Sequence, residues 1–397
     1  MKTTDAIRNR LARSPEAGAA AGFSSIFLIF ALATPNTFLT NSAISSILNS
    51  QAVPGIVAIG ITLLMISGEF DLSVGSILGA SSLAFLYAAV NGIHILIAAS
   101  FGLLAGCLLG LFNGLLLIWT GIPSFIVTLG TMLVYRAISL TAISGGRIIR
   151  YADYSREPPI LEIPGITILV AVLALFVILL WTAKDIRKTP DRSLSTQILL
   201  AFALLFSAYL TLEAIIAIIP QPFAFVTIDF FSMLNGRLDI VPGNYRASIL
   251  WWTGLTTVFV LILTQTRFGN AIFATGGNAQ AARLQGININ RVRVTNFVIS
   301  GFLAAVAGII QVARLKSVDP LRGTGMELEV IAAVVIGGTL LTGGYGSLIG
   351  SAIGTALTGM LRTGMVLIQV PTNAFRGAIG AIMIVAVIIN NLVRKER

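Results

Sequence analysis

The sequence predicts an all-α polytopic membrane protein of about 10–12 transmembrane helices, some of them broken or re-entrant. Composition is the first observation behind this. Of 397 residues, 56% are apolar and 11% charged, against about 45–50% and about 25% in an average soluble domain, so the residues that cover a soluble surface are missing. The second is that apolar runs of about 20 residues recur along the chain, each long enough to cross a bilayer. Third, many of the 39 glycines fall inside those runs, where small residues let helices approach closely and permit breaks that line cavities.

Taken in order, the candidate spans are 17–33, 44–66, 72–90, 93–119, 122–144, 165–183, 198–219, 247–265, 294–316, 329–343, 347–369 and 377–393. They leave a tail at 1–16, a single membrane domain over 17–393 and a second tail at 394–397. Basic residues are retained in cytoplasmic loops. With the first tail inside, the inner segments 1–16, 184–192, 266–293 and 394–397 hold fifteen Lys and Arg, and the outer loops seven. Both termini are therefore expected in the cytoplasm. Ala31-Leu32-Ala33 resembles a signal-peptidase site, but Asp5 and Glu16 lie among the bases before it and the rest of the chain inserts regardless. An uncleaved first helix is expected.

The net charge of +10 follows from 26 Lys and Arg against 16 Asp and Glu. Nucleic-acid binding needs such charge gathered on one wet surface; here it is spread over loops by topology, and no nucleic acid is expected as a partner. Cys107 has no second cysteine to pair with, and the lone histidine, His94, sits at a span end. The longest polar stretches, 145–164, 220–246 and 266–293, are shorter than a chain needs to fold alone. With no phosphate-cradling loop, no H-E-x-x-H and no catalytic triad, neither catalytic residues nor a cofactor or metal are expected. Energy must come from an ion gradient or from an ATPase on another chain.

Three segments carry chemical information. ISGEFDLSVGSILGASS, residues 66–82, places Glu69 and Asp71 beside Ser73 and Gly75 between two apolar spans. One reading is a re-entrant turn that lowers Asp71 into the membrane against helix N-terminal amides. Another is that Glu69 and Asp71 solvate and cap the next helix. Both assign them a structural or gating role; as a carboxylate pair they also suit a cation site. In residues 334–354, Gly337-Gly338 and Gly343-Gly344-Tyr345-Gly346 interrupt a span. In the loop 267–294, Gly276-Gly277 break the chain, Asn278 is a good N-cap, and Ala279–Leu284 are helix formers ended by Gly286, which predicts a helix of two turns. A helix this short does not persist alone in water, which suits docking into a partner's groove; a plain helical hairpin between spans is the other reading.

The Gln280-Ala281-Ala282-x3-Gly286 spacing resembles the EAA loop of ATP-binding-cassette (ABC) importer permeases. With GEFDLSVGSILG (68–79), FNGLLL (112–117), IPSFIVTLGTMLVYRAISL (122–140), TRFGNAIFATGGNAQAARLQGINI (266–289), GFLAAVAGIIQVARL (301–315) and the glycine-rich run 323–357, the chain resembles the monosaccharide permeases of the ribose/xylose class. The resemblance implies an ABC importer permease fold and a non-catalytic subunit of a sugar importer in the bacterial inner membrane. It also implies a homodimer, a separate cytoplasmic ATPase and a periplasmic or lipid-anchored sugar-binding protein. Relatives have about ten spans, so 165–220 reads as an added helical pair joined by a basic turn. Gln280 stands where the EAA pattern has a carboxylate. By the resemblance, Gly277, Asn278, Gln280, Ala281, Ala282, Arg283 and Gly286 form the helix coupled to the ATPase.

Polar side chains in mid-span face a bundle interior or cavity, which nominates Asn49, Gln51, Ser73, Asn113, Ser124, Thr128 and Thr131 for the translocation path; each could instead bond a neighbouring helix. Arg136 is expected to snorkel or pair. Arg147, Arg150, Asp153, Asp319 and Arg322 are candidate contacts for the binding protein. The rival reading is a cation-coupled secondary transporter using Glu69 and Asp71. Against it, span interiors beyond Arg136 and Arg362 carry almost no charge. A passive channel lacks its ring of filter residues.

Overall fold

The computed structural model describes residues 15–143, 146–186, 194–238, 242–371, 374–375, 377–382 and 384. The tail 394–397, all but the last two residues of the tail 1–16, most of the basic turn 184–192 and much of the expected span 377–393 lie outside them.

Helices occupy ten of the other eleven expected spans and about half of the eleventh, 329–343. α1 (Pro15–Ala33) and the single turn α2 (Pro35–Phe38) lead into α3 (Asn41–Ile66). There follow α4 (Val74–Val90), α5 (Ile95–Thr120), α6 (Ser124–Thr141), the pair α7 (Gly165–Ile186) and α8 (Leu194–Ile218), short α9 (Phe230–Asn235) and α10 (Ala247–Gln265). α11 (Arg267–Gly277) and α12 (Ala279–Leu284) precede α13 (Ile289–Leu315), α14 (Met326–Ile336) and α15 (Leu348–Leu367). Among the described residues six of these, α3, α5, α6, α7, α10 and α13, are long and apolar enough to cross a membrane. The protein is an all-α multi-pass membrane protein.

Consecutive spans alternate in direction, so the bundle has two ends. One carries α11 and α12. The other carries the strands β1 (Ile149–Arg150), β2 (Ile160–Pro164), β3 (Phe225–Asp229) and β4 (Ser317–Val318). β1 pairs antiparallel with β4, Ile149 opposite Val318, which ties the loops 145–164 and 317–328 together. β2 pairs with β3, Ile160 opposite Asp229 and Pro164 opposite Phe225, and this ladder closes the base of the α7–α8 hairpin. That hairpin is peripheral: 17% of the α7 span is buried, against 78% for α3 and 72% for α13, the two central helices.

Glycine lets the centre close. α5 presents Gly102, Gly106, Gly110 and Gly114 at four-residue spacing to α13 and its neighbours, and a Cβ on Gly106 or Gly110 would collide with the carbonyls of Gly301 or Phe297. A Cβ on Gly301 would strike Gly106 in return. This is the backbone approach that small residues allow between helices in lipid.

The expected span 329–343 is corrected by the structure. α14 has only 11 residues, about 16 Å of helix at 1.5 Å per residue, or about half of a bilayer's apolar core. The chain reaches its start by descending along α4, with Pro320 against Gly79 and Gly323 against Gly75. α14 is therefore a half-helix that begins inside the bundle at Gly325, whose φ is +85°.

Gly106→Leu should overpack the α5–α13 seam at about 1–3 kcal/mol, lowering the unfolding midpoint of the detergent-purified protein. Gly130→Leu, at a position with open space around it, should leave the midpoint near that of the parent. Equal shifts for the two variants would contradict the close seam.

Candidate translocation path and coupling surface

Between α3 and α4 the backbone leaves helical geometry over residues 67–73 and turns back into the bundle. Asp71 is fully buried beside α13. Its Oδ1 accepts from the Ser73 N–H (2.9 Å) and the Ser73 hydroxyl (2.6 Å), and its Oδ2 from the Ser300 hydroxyl (3.2 Å). Asp71 thus caps the start of α4 from inside the protein. Glu69, also buried, pairs with Arg293 in the second turn of α13 at 2.7 Å.

Four of the nominated path residues converge on this loop. Ser124 Oγ accepts from the Phe70 N–H (3.0 Å) and Thr128 Oγ1 from the Leu72 N–H (3.1 Å). Asn113 Nδ2 donates to Ser73 Oγ (2.8 Å), and the Tyr135 hydroxyl donates to Asn113 Oδ1 (2.9 Å). Thr131, one turn along α6, donates to the Thr128 carbonyl (3.3 Å). The remaining two lie elsewhere. Gln51 is buried against α15, where it accepts from Thr358 (3.2 Å) and packs on Gly359. Asn49 lies at the strand end and braces the segment before α10, donating to the Asn244 carbonyl (2.6 Å) and accepting from the Arg246 N–H (3.0 Å).

At the opposite end α12 has both termini closed. Asn278 Oδ1 accepts from the Ala281 N–H (3.0 Å). Gly286, at φ +82°, ends the helix; its N–H reaches the Arg283 carbonyl and that of Ile287 the Ala282 carbonyl, at 3.0 and 3.1 Å. This paired C-terminal closure requires the left-handed residue that glycine supplies. Ala282 is buried, whereas Gln280, Ala281, Arg283 and Leu284 face outward, Leu284 with 89% of its surface exposed. Beside it, Phe268, Ala271, Ile287, Arg291 and Val292 line a groove of about 440 Å³.

Glycines join this end to the bundle. A Cβ on Gly276 would collide with the Ile66 carbonyl, and one on Gly344 would come within 2.6 Å of Gly277. Gly343 lies as closely on Gly68, and the Gly344 N–H donates to the Ile66 carbonyl (2.8 Å). Gly68, Gly338, Gly343 and Gly344 all have φ between +74° and +89°. Gly337 abuts Gly350, Gly346 abuts Thr339, and Gly75 leaves room for Gly323.

Two acidic residues were not singled out from the sequence. Glu327 and Glu329 open the half-helix α14; Arg136 lies 3.7 Å from Glu327, and Arg362 makes two bonds to Glu329 at 2.7 and 2.8 Å. The two span arginines are thus ion-paired inside the bundle. The usable signal was the pair of acidic residues heading an apolar run.

Comparison with known proteins follows from this architecture. The family described as branched-chain amino acid transport system / permease component matches residues 43–387. The xylose transport system permease protein XylH of Escherichia coli K12 is 31% identical over 378 residues, 95% of this chain and 91% of that protein. The ribose import permease protein RbsC of the same strain is 28% identical over 368 residues, 92% of this chain and 90% of that protein. No solved structure matches.

Asp71→Ala should leave the Ser73 and Ser300 donors unmet, at about 1–3 kcal/mol for a buried unsatisfied group. Its unfolding midpoint should fall below that of Asp71→Asn, which keeps an acceptor oxygen. Identical midpoints would show that the carboxylate does not hold the loop.

Proposed function

We propose, because this chain belongs to the branched-chain amino acid transport system / permease component family, that it is the membrane-spanning subunit of an ABC importer carrying a monosaccharide or related neutral polyol into the cytoplasm. It pairs with a second copy of itself, a cytoplasmic ATPase and an extracytoplasmic sugar-binding protein. The xylose and ribose permeases among its relatives support the sugar as cargo. The subunit is non-catalytic.

The observation that carries the reading is α12: a short, doubly capped helix with an exposed outer face. In this reading 266–293 faces the cytoplasm, as do both termini and the turn of the 165–220 hairpin, and the strand end faces outward. When the ATPase closes on ATP it displaces α12 as a rigid piece. Two connections take that displacement into the bundle. Gly276 and Gly277 press on the Gly343-Gly344 turn and on the end of α3, and the Glu69–Arg293 ion pair links α13 to the 67–73 loop. Packed interfaces of this kind switch between arrangements rather than deform continuously, so spans rock and the opening alternates.

Ser73, Asn113, Ser124, Thr128 and Thr131 then sit beside the moving element, where their hydroxyls and amides become available to a passing polyol as the loop shifts. Arg150 in β1 and Asp319, which directly follows β4, lie on the face offered to the binding protein. Glu69 and Asp71 are both engaged with protein donors, which favours this reading over a cation-coupled carrier.

Arg283→Glu and Gly286→Pro should each reduce ATP-driven uptake of D-xylose or D-ribose, and substrate-stimulated ATP hydrolysis, by tenfold or more in reconstituted complexes. The chain should still insert and purify as the parent does. Unchanged uptake with either variant would sink the coupling role.

A further inference from the structure

At the strand end, away from the network around Asp71, the first turns of α3, the end of α9, the segment before α10 and the last turn of α13 enclose a cavity of about 370 Å³. Its lining includes Ser46, Asn49, Asn235, Asn244, Arg246 and Arg314, with Leu315 as its one apolar member. The volume lies at the lower end of the range of about 300–1,000 Å³ for small-molecule sites, which suits a solute of five or six carbons.

The lining is held in place from within. Asn49 spends its side chain on the Asn244 carbonyl and the Arg246 N–H, fixing the segment before α10 on α3. Arg314 reaches the Asn49 carbonyl at 3.3 Å, and Arg246 the Asn235 carbonyl at 3.4 Å. Each bond is long, and each guanidinium has five N–H donors. Among the described residues neither arginine is ion-paired, and no carboxylate lines the cavity. Two guanidiniums and a set of hydroxyls and amides therefore face a space without a counter-charge among the described residues.

We infer that this cavity is a binding site for a monosaccharide-sized polyhydroxylated solute, the place where the permease first holds its cargo, and that it rejects cationic amino sugars. The inference rests on the importer reading above and adds a location and a selectivity. A sugar presents acceptor oxygens around its whole rim, and a planar guanidinium spans neighbouring oxygens through parallel donors. An ammonium group in the same space meets two guanidiniums and, among the described residues, no carboxylate to neutralise any of the three. Among the described residues the site lacks an aromatic ring on which a sugar could stack and a carboxylate to accept from its hydroxyls. It consequently holds the solute weakly, which suits a solute that must leave again.

The test uses Ser46→Cys in a Cys107→Ser background, Cys107 being a free cysteine, in proteoliposomes treated with a membrane-impermeant maleimide. D-ribose, D-xylose and D-galactose are the probes, with D-glucosamine as the cationic comparison. At least one neutral sugar should slow labelling several-fold in the millimolar range, and D-glucosamine should not. Adding Arg314→Gln, or Arg246→Gln should the first variant misfold, should remove the protection. The inference is overturned by labelling that no neutral sugar slows, by equal protection from D-glucosamine, or by protection that survives the loss of the guanidinium. Uptake measured in parallel with the ATPase and binding protein separates the two claims. ATP-driven sugar uptake without protection rejects this site alone, whereas protection without ATP-driven uptake of any sugar rejects the importer reading.

Discussion

A backbone inside an apolar bundle has no water to hydrogen-bond, so wherever a helix stops, another part of the protein must supply the missing partners. This chain stops helices inside the bundle at 67–73, before Gly325 and after Ile336. The surrounding polar residues follow from those stops. Ser124 and Thr128 take the N–H groups of Phe70 and Leu72, Asp71 takes that of Ser73, and the Ile66 carbonyl takes that of Gly344. Glycine has the same origin: the 67–73 loop, the end of α11 and the 337–347 turn can touch backbone to backbone only if Gly68, Gly276, Gly343 and Gly344 carry no side chain.

The constraint also explains which parts of the structure are legible in the sequence. Most span positions are, because apolar length alone sets them. α12 is legible as well, since Asn278 and Gly286 are local signals that need no distant partner. The half-helix α14 is not: 329–343 reads as a continuous apolar run, and hydropathy records what a segment is made of, not the depth at which it starts. Only the contacts of Pro320 and Gly323 with α4 reveal that 319–325 has already entered the bundle. Arg136 is expected from the sequence to snorkel or pair, but the partners of Arg136 and Arg362 are not legible for a related reason, since Glu327 and Glu329 reach them only once the descent is known.

Ser124 and Thr128 show how one residue fits two accounts. A mid-span hydroxyl marks either a polar path or a broken backbone that needs a partner, and the sequence cannot separate the two. The structure places both hydroxyls against peptide groups in this arrangement of the chain. The accounts are compatible when the break itself moves, because a hydroxyl released from a peptide group becomes a donor and acceptor facing the space that the loop has left.

In the proposed importer, that compatibility bears on where force from the ATPase enters. A continuous helix transmits displacement along its length, whereas a break absorbs it in a few dihedral angles. α12 does not touch the Asp71 network. Next to it in sequence, Gly277 presses on the Gly344 turn, and α13 brings Arg293 to Glu69. One connection is steric and short-ranged, the other electrostatic and partly exposed. A steric contact of backbone on backbone admits little intermediate displacement, so in the proposed mechanism it would set when the 337–347 turn shifts. The ion pair tolerates a longer separation and would keep the 67–73 loop attached to α13 in that step. Under that proposal the breaks at 67–73 and after Ile336, which lie at the α12 end, leave the strand end with its paired loops and cavity free to stay rigid while the other end rearranges.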